Sequence, residues 1–100
     1  MVVANISVIP IGTGSTSLSS HVAKAISTLN SIKGVKYELT AMGTIIEGDL
    51  DLVFDAVRKM HATLFDAETK RVLTTVVIDD RRDQPLTMKG KVESVIIKLG

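Results

Sequence analysis

The sequence predicts an α+β sandwich: two helices cover one face of a four-stranded antiparallel sheet, and an extra helix follows at the C-terminal end. Three observations lead there. β-branched, alternating segments recur at residues 2–11, 35–41, 44–48 and 71–80. Apolar residues at helical spacing follow the first and third of these segments and recur after Thr87. The resulting order, strand, helix, strand, strand, helix, strand, is a pair of split βαβ units, the ferredoxin-like arrangement. Right-handed crossovers put both main helices on one side of the sheet and the first and third strands at its centre. Residues 1–100 then form one domain.

In the first strand Val2, Ala4, Ile6 and Val8 make one period-2 set, and Val3, Asn5, Ser7 and Ile9 the other. Pro10 is expected to end this strand or to lie at its edge. The polar segment Gly12–Ser17 leads into a helix that Ser17 or Ser19 can cap. Leu18, Val22, Ile26, Leu29 and Ile32 line that helix, and Gly34 stops it. A two-residue turn at Met42-Gly43 joins the second and third strands. That turn pairs Glu38 with Glu47 and groups Tyr37, Leu39, Ala41 and Ile46 on the helix side. Asp49 is placed to cap the second helix, whose stripe is Leu50, Val53, Val57, Met60 and Leu64. In the fourth strand Val72, Thr74, Val76 and Ile78 alternate with Leu73, Thr75, Val77 and Asp79. Thr87 caps the last helix, which carries Val92, Val95, Ile96 and Leu99.

Composition narrows the function. Twelve basic and eleven acidic side chains give a net charge of +1, so a basic nucleic-acid footprint is missing. Tyr37, Phe54 and Phe65 are the only aromatics and offer no stacking platform for single strands. The absence of cysteine excludes disulfides, thiolate zinc sites and cysteine nucleophiles. No stretch approaches the roughly 18 apolar residues of a membrane span, and the first residues lack a signal-peptide pattern. The expectation is a soluble, cytoplasmic protein with neither nucleic-acid nor membrane partner. The sheet face away from the helices carries Val3, Asn5, Ser7, Ile9, Thr40, Ile45, Thr75 and Val77. It is too apolar to stay in water, which points to a second subunit or to the last helix as its cover.

Few residues offer chemistry. Glu38 and Glu47, opposite each other in the expected register, would repel unless a cation relieved them. Gly12–Ser17 precedes a helix, so Thr13 and Ser15 are candidate phosphate contacts, although the segment lacks the lysine of a P-loop. Arg82, in the charged run Asp79–Asp83, is a candidate third contact, because arginine suits bidentate anion binding. The same run also reads as a solvated loop of local ion pairs or as an intersubunit contact. His21 and His61 lie far apart on helices, and no metal site is expected from them.

Several segments together resemble the small thiamine-binding protein family. They are Val8–Gly14, Met42–Asp49 within the stretch from Tyr37, Met60-His61, Ile78–Asp83 and Gly90–Val95. The resemblance covers essentially the whole chain. It implies a ferredoxin-like fold assembled through its sheets into dimers and tetramers, a dimer of dimers. It also implies binding of thiamine or its hydroxymethylpyrimidine part, without catalysis and without a cofactor. For such a ligand Asn5, Thr44 and Glu47 are the expected polar anchors, on the sheet face away from the helices. Met42 and Ile45 are the expected apolar walls. Glu47 would neutralise the cationic thiazolium or accept from the amino group, and Thr44 would contribute through its backbone, its side chain turning toward the helices. Two other readings stay open at this point. One is a phosphate- or nucleotide-sensing module built on Thr13, Ser15 and Arg82. The other is an enzyme using Glu47 as acid or base.

Overall fold

The computed structural model describes residues 1–100. Its elements are β1 (Val2–Ile11), α1 (Ser19–Ser27), β2 (Lys36–Thr40), β3 (Gly43–Gly48), α2 (Leu50–Ala62), β4 (Arg71–Asp79) and α3 (Met88–Leu99). The strands form one antiparallel sheet in the order β2-β3-β1-β4. This is the ferredoxin-like order, with β1 and β3 central and α3 added at the end.

The period-2 pattern decides which face is which. Val2, Ala4, Ile6 and Val8 are all buried, together with Ile46 from β3. They pack against Ala25 of α1 and against Val53, Ala56 and Met60 of α2. Leu29 and Ile32 join the same core, but not from an α-helix. The chain tightens into a 3-10 turn at Thr28–Ser31, and Gly34 turns it onward with φ +87°. No serine caps α1: Leu18 occupies the N-cap position without a side-chain bond. The hydroxyls of the preceding loop bond locally instead, Thr13 donating to the Ser15 carbonyl and Ser15 accepting from the Ser17 N–H. Asp49 holds the N-cap position of α2, also without a side-chain bond. Thr87 does cap α3, accepting from the Gly90 N–H at 3.0 Å.

The hairpin register differs from the expected one. The hairpin turn is Ala41-Met42, not Met42-Gly43, so Glu38 pairs with Ile45 and Glu47 with Lys36. The Thr40 hydroxyl holds this turn, donating to the Gly43 carbonyl at 2.7 Å and accepting from the Met42 N–H at 3.3 Å. Like-charge opposition of Glu38 and Glu47 is therefore avoided. The shift is by two residues, so every side chain keeps its expected face. Pro10 is the penultimate residue of β1 and lies where that strand is an edge, as expected. The ladder between β1 and β3 stops at Ile6↔Thr44, while that between β1 and β4 continues to Ile11↔Arg71. Past Ile6, β1 is itself an edge, and a proline there costs no ladder bond.

The opposite sheet face is partly covered at one end only. There Val3 and Glu47 are buried, and α3 approaches β3, tied down by the ion pair between Lys91 and Asp79. Along β4 Leu73 and Val77 are 55% and 64% exposed, and no residue of α3 is buried.

Candidate functional site

A cleft opens where the strands differ in length. β1 runs on past the start of β3, the β2–β3 hairpin folds back beside it, and α1 crosses above the core without reaching over β2. Every residue of β2 is exposed in consequence. The cleft has a volume of about 370 Å³, within the range of roughly 300–1,000 Å³ usual for small-molecule sites. Ile6 and Val8 form its floor, Leu18, Val22 and Ala25 the α1 wall, and Leu39, Met42 and Thr44 the hairpin wall. Val22 and Leu39 also line a shallower groove of about 520 Å³ along the outer side of α1, with Ile26 and Asn30. The surroundings are apolar. Thr44, only 3% exposed, brings one buried hydroxyl to the hairpin wall.

Gly43 closes the cleft beside β1, and its reason for being glycine is clearance. Its φ is not positive. A Cβ there would lie 2.5 Å from the Asn5 Oδ1 and 3.1 Å from the Ile6 carbonyl oxygen. The Asn5 Oδ1 is buried without a hydrogen-bond partner in the chain. Gly43→Ala is expected to cost about 1–3 kcal/mol through overpacking. Adding Asn5→Ala should restore part of it, because the nearest clashing atom is gone. A double-mutant cycle by chemical denaturation checks the coupling.

The sheet separates the five expected binding residues. Met42 and Thr44 line the cleft on the helix side. Asn5, Ile45 and Glu47 share the other face, with Glu47 5% exposed. The five do not converge on one pocket within a subunit. Leu39 and Val22 complete the cleft instead. Their apolar periodicity was visible in the sequence, but that pattern reads as core, and only the short reach of α1 leaves the space between them open.

The candidate phosphate contacts also fall apart. Thr13 and Ser15 follow the C-terminal end of β1, whereas Arg82 follows β4, whose Asp79 pairs with Val3 at the opposite end of β1. Arg82 donates through its Nη2 to Asp80 at 2.8 Å, and Arg81 through its Nε to Asp83 at 2.7 Å. These hydrogen bonds hold the Asp80 and Asp83 carboxyls below the ordinary carboxylate range and raise both guanidinium pKa values. Protein carboxylates thus already occupy both guanidinium forks. His61, on α2, meets the Thr74 hydroxyl through Nδ1 at 2.7 Å and packs edge-on against Phe65. No three histidine, aspartate or glutamate side chains come together as a metal site. No helix is long and apolar enough to cross a membrane.

The fold and the cleft define a class: small ferredoxin-like proteins that hold a small-molecule cleft between sheet and helices. Residues 4–96 match the family described as "Thiamine-binding protein", and the chain belongs to that family. It is 47% identical over 100 residues to a UPF0045 protein of Methanothermobacter thermautotrophicus, spanning 99% of this chain and 100% of that one. Among solved structures, a hypothetical protein of Methanocaldococcus jannaschii superposes with a TM-score of 0.86 at 37% identity, covering 94% of each chain. A candidate thiamine biosynthesis/salvage protein of Thermotoga maritima superposes with a TM-score of 0.75 at 26% identity, covering 94% of this chain and 97% of that one.

Proposed function

We propose that the protein binds thiamine or its hydroxymethylpyrimidine part in the cleft between α1 and the β2–β3 hairpin, as a non-catalytic carrier or sensor. The observation that carries this reading is the cleft itself, a preformed apolar slot of about 370 Å³ with one buried hydroxyl. Flat heterocycles suit such a slot, because aliphatic walls cover both ring faces while a few polar groups fix the edge. The family's description names binding rather than a reaction, and the Thermotoga relative is linked by name to thiamine. Met42 and Thr44 contribute directly. No acidic side chain lines the cleft, so the pyrimidine is the part held, and the cationic thiazolium projects outward into water.

Asn5, Ile45 and Glu47 then serve a second purpose. Their face, with Leu73 and Val77, is the surface through which copies of the chain assemble into a dimer of dimers. The exposed apolar side chains of α3, among them Ile96 and Leu99, extend it.

Val22→Phe tests the site. Val22 is half-buried on α1 and lines the cleft, so the larger ring fills the slot without entering the core. Calorimetry with thiamine and with hydroxymethylpyrimidine should show a loss of affinity of about tenfold or more, with the melting temperature nearly unchanged. Equal affinity in the variant would place the ligand elsewhere.

A further inference from the structure

β4 ends the sheet, and its outer edge has no neighbouring strand. A free edge offers unpaired N–H and C=O groups to any other strand, and soluble proteins ordinarily blunt it with charge, proline or shortness. The other free edges of this sheet are blunted in that way. β2 is five residues long and carries Lys36 and Glu38. The end of β1 that β3 leaves uncovered contains Pro10. β4 has none of these devices. It is nine residues long, its register against β1 runs from Asp79 to Arg71 without a bulge, and Val72–Ile78 includes no charge, proline or glycine. The direction of its free groups follows from β1. The Ile6 carbonyl oxygen stands 3.1 Å from a Cβ placed on Gly43, so it points toward β3. Backbone direction alternates along a strand, so Asn5 and Ser7 exchange their bonds with Val77 and Thr75 of β4. Val72, Thr74, Val76 and Ile78 therefore turn their N–H and C=O groups outward. None of the nine backbone hydrogen bonds outside the regular elements uses them.

We infer that the edge of β4 pairs with β4 of a second copy, antiparallel about a two-fold axis at Thr75, and joins two four-stranded sheets into one continuous sheet. Thr75 is the midpoint of the strand, so this register uses its whole length. Val72 meets the partner's Ile78 and Thr74 the partner's Val76, and each outward N–H and C=O finds its complement. On the face away from the helices Leu73 meets the partner's Val77, both more than half exposed in the single subunit. Thr75 meets the partner's Thr75, and cross-strand pairs of these kinds stabilise a sheet. Arg71 meets the partner's Asp79. Arg71 has no ion pair in its own subunit, while Asp79 holds Lys91 through Oδ2 and keeps Oδ1 open. The occupant is a second copy because β4 carries opposite charges at its two ends, which its own reversed sequence matches. A slip of two residues sets Arg71 against the partner's Val77 or the partner's Arg81 and leaves outward groups unpaired at the ends. This contact is separate from the packing of the open sheet faces. A closed dimer of dimers needs two different two-fold contacts; the faces supply one and the β4 edge the other.

The chain has no cysteine, so single introduced cysteines read the geometry. In this register Thr75 and the partner's Thr75 form a pair not bridged by backbone hydrogen bonds, with Cα atoms about 4.5 Å apart, inside the range a disulfide spans. Thr75 is exposed in the single subunit, so Thr75→Cys should fold. Under oxidation with copper phenanthroline the expected result is a disulfide-linked dimer, read as a doubling of mass on a non-reducing gel. In Leu73→Cys and in Val77→Cys the two equivalent cysteines lie four residues apart along the paired strands, roughly 13 Å, and each variant alone should stay at single-chain mass. Coexpressed, these two variants should cross-link to each other. A folded Thr75→Cys that does not cross-link, or a Leu73→Cys that links to itself as readily, overturns the inference. A wild-type tetramer by light scattering without the Thr75→Cys cross-link leaves the open faces as an interface and excludes the β4 edge. The outcome is independent of what the cleft binds.

Discussion

Val77→Lys is expected to leave a folded chain and to reduce the assembly to smaller units. Val77 lies on β4 opposite Asn5, on the face away from the helices, and is 64% exposed within one subunit. A lysine there meets water in the isolated chain, so folding should change little. In the assembly the same ammonium would be buried among apolar side chains of the neighbour, and an unpaired buried charge costs several kcal/mol. Each copy brings one such charge, so the penalty repeats across the interface. Light scattering at micromolar concentration should report a tetramer for the wild type and a smaller species for the variant, with matching circular dichroism. A wild-type monomer, or a variant that assembles normally, would show that this face is not the interface.

Ile46→Ala should have the largest effect on stability. Ile46 is fully buried at the centre of the sheet, paired with Ala4 on β1 and Tyr37 on β2. Its side chain belongs to the core cluster shared with both main helices. Removing three carbons there should cost about 2–5 kcal/mol, a large part of the roughly 5–15 kcal/mol that holds a domain together. The melting midpoint should fall by about 4–8 °C for each kcal/mol lost. Chemical denaturation measures the change. A cost below about 1 kcal/mol would mean that the space at Ile46 collapses freely, against the close packing described.

The sequence made the sheet faces legible because side-chain direction depends only on parity. Val2, Ala4, Ile6 and Val8 alternate with Val3, Asn5, Ser7 and Ile9, and nothing in the fold reverses that assignment. The same property hid the register. A slip of two residues preserves parity, so the pattern could not separate a Met42-Gly43 turn from the Ala41-Met42 turn that forms. Gly43 read as a turn residue, whereas its role is to let the hairpin approach Asn5 and Ile6. The repulsion expected between Glu38 and Glu47 disappeared with that register, Lys36 now standing opposite Glu47.

The cleft was harder to foresee. It depends on where β3 stops relative to β1 and on how far α1 reaches, and both are tertiary quantities. Met42 and Thr44 were expected near a ligand through the family resemblance, at the junction of the second and third strands beside Glu47. Leu18 and Val22 read as core from their helical spacing, which is also what a cleft wall looks like when one neighbouring strand is left uncovered. Pro10 was the one visible clue: a proline inside a strand marks a side on which no partner strand bonds.

A crystal structure of the protein grown with saturating thiamine tests the central claim most directly. The account predicts ligand density on the helix side of the sheet, between Val22 of α1 and Leu39 of β2, with the thiazolium toward solvent. Density against Asn5 and Glu47 on the opposite face, or a cleft that stays empty at saturation, would contradict it.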